Sequence, residues 1–284
     1  MANLKEIRIR ISSVSSTMQI TSAMKMVSAA KLKKAQDAIT AMRPYSNKLS
    51  ELMKGFSGSS EDKSFSENRN IKNVLVIAIS SNRGLCGAFN ANIFKEVNNL
   101  KSKEEFKDAK IDFLTIGKKI NDSLSKTEKI VQNDSDLFDD LKYENVSLIV
   151  EKLMSLFVDQ QYDHIEIVYN SFKNAATQII KSEQFLPIPE SQSNSAANMD
   201  YIFEPSQQAI VSTLIPKSLK MQLFKAVRDS FASEHGARMT AMHKATDNAS
   251  ELRDELKLTY NKARQASITN EILEIVGGAE ALNN

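Results

Sequence analysis

Chemistry needs particular side chains within reach of one another, and few residues here qualify. The stretch SSNRGLCGAF, residues 80–89, follows an apolar run and precedes a helical pattern, the place where an α/β fold sets its phosphate-binding loops. It lacks the glycine spacing of a dinucleotide fingerprint and the Gly-Lys-Ser/Thr of a P-loop, so it reads as a tight glycine turn that lets strand and helix pack. Cys86 is the single cysteine. With no histidine or second cysteine near it in sequence, it reads as a small buried residue and not as a nucleophile. The three histidines, His164, His235 and His243, form no metal-ligand spacing. The acidic run DSDLFDD (134–140) reads as a solvated turn. Catalytic residues, cofactor and metal are all expected to be absent.

Lys25, Lys31, Lys33 and Lys34 in KMVSAAKLKKAQ admit three readings. These are a solvated helix face, a surface for an acidic protein, and a nucleic-acid surface. The last would want more positive charge with aromatic or arginine partners. Sequence physics does not separate the first two. The formal net charge is +2, so bulk electrostatics argue for neither nucleic acid nor an anionic membrane. One cysteine allows no internal disulfide, which fits a reducing compartment. No apolar run approaches the roughly 20 residues of a membrane span, and MANLKEIRIRISS lacks a signal-peptide core. The expectation is a soluble chain that is not exported.

The elements that would hold these residues fall into three blocks. From Ala2 to Arg43 there is no glycine or proline, and apolar or small residues recur at Leu4, Ile7, Ile11, Val14, Met18, Thr21, Met24, Ser28, Leu32, Ala35, Ile39 and Met42. That spacing is close to the ~3.5-residue period of a coiled-coil seam. Pro44 is a plausible break, with the helix resuming through Leu52 before a polar, serine-rich linker. From Val74 the pattern changes: VLVIAIS suits a strand buried on both faces of a parallel sheet. Helix and strand then alternate through NANIFKEVNNL, KIDFLTIG, KKINDSLS, Tyr143–Gln161, HIEIVYNSF and TQIIKSEQFLPI. Such alternation implies an α/β domain with crossover connections.

After a second polar loop and a short strand at YIFEP, the helical pattern returns, interrupted only by Pro216 and Gly236. A second seam is expected at Met242, Ala245, Ala249, Leu252, Leu256, Thr259, Ala263, Ala266, Asn270 and Leu273. Each terminal helix would run roughly 60 Å, too long for a domain of roughly 15 Å radius. The two ends are therefore expected to pair as an antiparallel coiled coil, kept thin by its alanines and suited to insertion into something else. The expected division is 1–56 (N-terminal coiled-coil helix), 57–72 (linker), 73–205 (α/β domain) and 206–284 (C-terminal helical region and coiled-coil helix).

Three stretches carry a family resemblance: IRIRISSVSSTMQITSAMKMVSAAKL, SSNRGLCGAFN and ARMTAMHKATDNASELRDELKLTYNKARQASITNEILEIVGGAEAL. They resemble the gamma subunit of F-type ATP synthases, in its bacterial form, across the whole chain and most strongly at both ends. The resemblance implies an antiparallel coiled coil beside a Rossmann-like domain, which agrees with the reading above. It also implies a central shaft in the hollow of three alpha and three beta subunits, with a foot on the epsilon subunit and the c-subunit membrane ring. The chain would be no enzyme by itself, with nucleotide and magnesium held by alpha and beta, and would lie peripherally on the cytoplasmic side of the bacterial membrane. By the same resemblance Met24 and Lys25 face beta's acidic lever loop, Arg264, Gln265, Thr269 and Glu271 meet its catch loop, and Tyr201 and Glu204 approach the ring. The redox-active cysteine pair of photosynthetic forms is missing, since Cys86 stands alone. The alternative reading is a coiled-coil adaptor whose α/β domain binds a small phosphorylated ligand.

Overall fold

The computed structural model describes residues 4–56, 65–67, 69–189, 204 and 206–283. It divides into two compact units, Ser28–Arg238 and Met1–Val27 with Met239–Asn284. The chain runs α1 (Leu4–Phe56), β1 (Asn73–Ile79), α2 (Phe89–Lys101), β2 (Lys110–Ile116), α3 (Lys118–Leu124), β3 (Ile130–Asn133), α4 (Tyr143–Val158), β4 (His164–Phe172), β5 (Gln178–Leu186) and α5 (Gln207–Asn283).

The larger unit is built on a five-stranded sheet of order β3-β2-β1-β4-β5. β1 lies parallel to β2 and β4, with Ile77 opposite Leu114 and Ile167, and β4 turns back antiparallel into β5. The near-continuous apolar run of β1 follows from burial on both faces. Leu75, Ile77 and Ile79 point into one core with Val150, Leu153 and Phe157 of α4 and Leu219, Leu223 and Val227 of α5. Val74, Val76 and Ala78 point into the other with Ile93 and Val97 of α2 and Ile120 of α3. Each such aliphatic side chain removed from water contributes about 1.5–3 kcal/mol. α2 and α3 thus cover one face, and α4 crosses to the other. The reversal of direction falls between β1 and β4, a topological switch point.

Four features depart from the sequence expectation. β3 went unread because it is four residues long at the sheet edge, with alternate residues exposed. Pro44 does not break α1: it lies on the exposed side, where a carbonyl that loses its helical donor can be hydrated. Pro216 and Gly236 likewise sit inside an unbroken α5. Gly236 is buried, and a Cβ there would lie 3.1 Å from the Ala175 carbonyl oxygen, so its small size lets α5 approach the β4–β5 turn. DSDLFDD is no fully solvated turn either. Ser135–Phe138 form a 3-10 turn with Leu137 in the core. YIFEP lies outside the described residues except Glu204, which is exposed.

Candidate functional site

The loop after β1 has the position of a phosphate loop, and its polar groups are largely engaged within the fold. Ser81 turns inward, its backbone N–H donating to Asn90 Oδ1 (3.1 Å) and its hydroxyl to the Arg83 carbonyl (2.7 Å). Cys86 is buried with its sulfur 3.2 Å from Asn90 Nδ2, so it is a packed thiol held by an amide. Gly117, at the start of α3, closes over this loop with φ of 111°, and a Cβ there would stand 2.3 Å from the Ser80 carbonyl oxygen. Two of the loop's carbonyls face α5. Arg238 of α5 donates to the carbonyls of Arg83 (2.9 Å) and Gly84 (3.3 Å). At these two carbonyls the loop accepts from a cation, where a phosphate loop would offer N–H donors to an anion.

Arg238 also donates to Glu234 Oε1 at 2.6 Å, both side chains being buried. Burial pushes the Glu234 carboxyl up, opposed by the charges of Arg238, Lys31 and Arg83. His235 packs edge-on against Phe231, ring centroids 4.5 Å apart. Burial first, then Arg238 and Lys31, push its imidazole down to about 4, so it is neutral at ordinary pH. Among the described residues no group of three or more His, Cys, Asp or Glu is placed to hold a metal ion. His243 is paired instead with Asp247 at 3.1 Å.

The smaller unit is a pair of antiparallel helices. On α1 the covered positions match the expected seam: Ile7 and Thr21 are buried, and Ile11, Val14, Met18 and Met24 are half-buried. On α5 five of the expected positions hold: Met242 and Ala249 are buried, and Ala245, Leu256 and Ala263 are half-buried. Leu252, Thr259, Ala266, Asn270 and Leu273 are exposed, Leu252 by 46% and Leu273 by 63%. The positions that turn inward are one residue later: Thr246, Arg253, Tyr260 and Ser267. The reason is polar contact across the pair. Thr246 Oγ1 donates to Thr21 Oγ1 (2.8 Å), Arg253 Nη1 reaches Met18 Sδ (3.6 Å), and Arg8 Nη2 donates to Tyr260 Oη (2.8 Å). The Arg8 guanidinium, which also lies over the Tyr260 ring, holds that phenol below its ordinary range. From Leu252 onward every second expected position is thus displaced by one residue, because the hydrophobic pattern favours Leu252 over Arg253. The seven-residue spacing of Thr246, Arg253 and Tyr260 was the signal available.

Six of the eight expected site residues lie along this pair. Met24 and Lys25 are half-buried on α1. Arg264, Gln265, Thr269 and Glu271 are exposed on α5, with the Thr269 hydroxyl donating to the Gln265 carbonyl and Glu271 accepting from Ser267. Since Thr21 pairs with Thr246, Met24 faces the region of His243, and the two groups stand about 30 Å apart along the axis. They form two separate stations and not one site. Glu204 is exposed, and Tyr201 lies outside the described residues. From Ile268 to Ala279 every residue of α5 is exposed, including Ile268, Ile272, Leu273, Ile275 and Val276.

A protein-family model described as ATP synthase matches residues 3–282. The ATP synthase gamma chain of Christiangramia forsetii is 66% identical over 286 residues, covering 100% of both chains. The chain belongs to the ATP synthase gamma chain family. The gamma chain of Flavobacterium psychrophilum, 65% identical over 99% of each chain, agrees with that assignment. As a gamma chain it is a non-catalytic subunit of the synthase's central stalk. Solved structures share the gamma-chain fold. The rotor of the Euglena gracilis mitochondrial ATP synthase matches with a TM-score of 0.70 at 20% identity, over 93% of this chain and 98% of that one. The central stalk of the Tetrahymena thermophila enzyme matches with a TM-score of 0.58 at 23% identity, over 80% and 99%. No helix of the described residues is long and apolar enough to cross a membrane.

Proposed function

We propose that this chain is the turning shaft of a bacterial synthase, its coiled coil seated in a hexamer of three alpha and three beta subunits. Its base would engage the epsilon subunit and the c-subunit ring on the cytoplasmic side of the membrane. The observation that carries this reading is the end of α5. A helix whose last turns hold Ile268, Ile272, Leu273, Ile275 and Val276 in water, Ile275 by 72%, is built for a partner to cover it. The relatives' name and the rotor and c-ring assemblies in which the similar folds occur support the choice of partner. Met24 and Lys25 form the station for beta's acidic lever loop, and Arg264, Gln265, Thr269 and Glu271 the station for its catch loop. Tyr201 and Glu204 face the ring.

The mechanism needs no reactive group on this chain. An asymmetric shaft presents a different face to each beta subunit, so each catalytic site has its own balance of open and closed states. Turning the shaft moves those balances. A swing from 1:99 to 99:1 needs about 5.5 kcal/mol of differential contact, within reach of several side chains per station. Ion flow through the ring would drive rotation for ATP synthesis, and hydrolysis would drive it in reverse. Co-expression with the same genome's alpha and beta subunits tests this. The expected result is a complex of three alpha, three beta and one copy of this chain whose sustained ATPase depends on the chain. A chain that elutes alone beside an active hexamer would overturn it.

A further inference from the structure

The inward face of the α5 coil is mostly too uniform to choose its own alignment. Its apolar members, Met242, Ala249, Leu256 and Ala263, recur every seven residues. A slip of one heptad against Ile7, Ile11, Val14 and Met18 therefore replaces apolar contacts with other apolar contacts. Packing area discriminates poorly between such alignments. The polar members discriminate well. In the observed alignment Thr21 meets Thr246, Met18 meets Arg253 and Arg8 meets Tyr260. A slip one way sets Arg8, exposed at the edge of the pair, opposite Arg253, so that two guanidinium groups face each other, and Thr21 opposite Met239. A slip the other way sets Arg8 opposite Ser267 and Thr21 opposite Arg253. Either slip breaks all three contacts, and the first adds like-charge repulsion.

We infer that Arg8–Tyr260, Met18–Arg253 and Thr21–Thr246 form a register lock, three positioning pairs that fix the axial setting of α5 against α1. Thr21 anchors it most firmly, because it is buried and its hydroxyl also donates to the Met18 carbonyl at 3.1 Å. Tyr260 stands one turn before Arg264 and shares its electrostatic surroundings, so the lock adjoins the catch-loop station. One heptad of slip would move that station and the exposed end of α5 by about 10 Å. A shaft under twisting load needs such pins, since a coiled coil with a small-residue seam yields by sliding. The inference rests on the shaft reading for its purpose but not for its test.

The test places cysteine pairs that spare all six lock residues and reports alignment by disulfide formation under copper-phenanthroline oxidation of the isolated full chain. Ile11→Cys with Leu256→Cys reports the observed register. Ile11→Cys with Ala249→Cys, or with Ala263→Cys, reports one heptad of slip either way. With the lock intact only the first pair should cross-link. In an Arg8→Ala/Thr246→Val/Arg253→Ala background the slipped pairs should rise at least tenfold. Where that background loses helical signal, Thr246→Val/Tyr260→Phe serves instead, with the same two outcomes. Slipped pairs that stay at background while Ile11–Leu256 persists would overturn the lock, because the register would then be inherited from elsewhere in the chain. Failure of the shaft reading leaves this result untouched, since no hexamer is present.

Discussion

Arg238 is the residue on which the larger unit's polar core turns. Its guanidinium serves the Glu234 carboxylate and two loop carbonyls at once, and no sequence motif announces the second role, because the loop partners lie more than 150 residues away in the chain. Removing one member of a buried ion pair leaves the other charged and dry, which costs about 3–5 kcal/mol. Arg238→Ala should therefore lower the unfolding free energy of the isolated chain by that much, seen in urea as a lower midpoint with an unchanged slope. Arg238→Met with Glu234→Gln should recover more than half, since no buried charge is then stranded. If the single and double variants lose stability equally, the carbonyl contacts and not the ion pair matter. The SSNRGLCGAF stretch was legible as a tight turn from its glycines. Its role as an acceptor for Arg238 was not, because carbonyl direction is set by the backbone and Arg238 by a distant helix.

At the scale of elements, hydrophobic period was a good guide to where helices and buried strands lie and a poor one to their phase. The α1 seam was legible because Ile7, Ile11, Val14 and Met18 outcompete their polar neighbours. On α5 the choice between Leu252 and Arg253 went against the hydrophobic residue, since the Arg253 guanidinium reaches the Met18 sulfur across the pair and is held by Asp254 and Ser250. Proline rules failed at Pro44 and Pro216 because a long helix with tertiary support absorbs one missing hydrogen bond. The exposed face of α5 yields the next prediction. Arg264 and Gln265 have exposed side chains, and exposed substitutions of this kind change stability by within about 0.5 kcal/mol. Arg264→Ala/Gln265→Ala should leave the chain's melting temperature within about 2 °C while reducing ATPase of the assembled complex several-fold. A melting temperature that falls in step with activity would place these residues in the fold and not in the catch-loop station.

Across the whole molecule, stability is distributed unevenly for a physical reason. The sheet unit buries β1 on both faces between two apolar layers, whereas the helix pair buries a narrow seam, and from Ile268 to Ala279 every residue of α5 is exposed. Amide exchange opens through local fluctuations whose cost follows buried contact, and an isolated helical end with no packing is marginal in water. In the free chain the amides of Ile268–Val276 should exchange near their unprotected rates, those of Ile7–Thr21 and Met242–Ala263 at intermediate rates, and those of Val74–Ile79 slowest. Joining alpha and beta subunits should slow the first group at least a hundredfold and leave β1 unchanged. The expected contrast separates two origins of a long terminal helix. Protection that appears only in the complex means the exposed isoleucines are an interface waiting for its sleeve. Protection already present in the free chain means those turns are held by a second copy or another part of the chain, and the end of α5 then ceases to support a shaft.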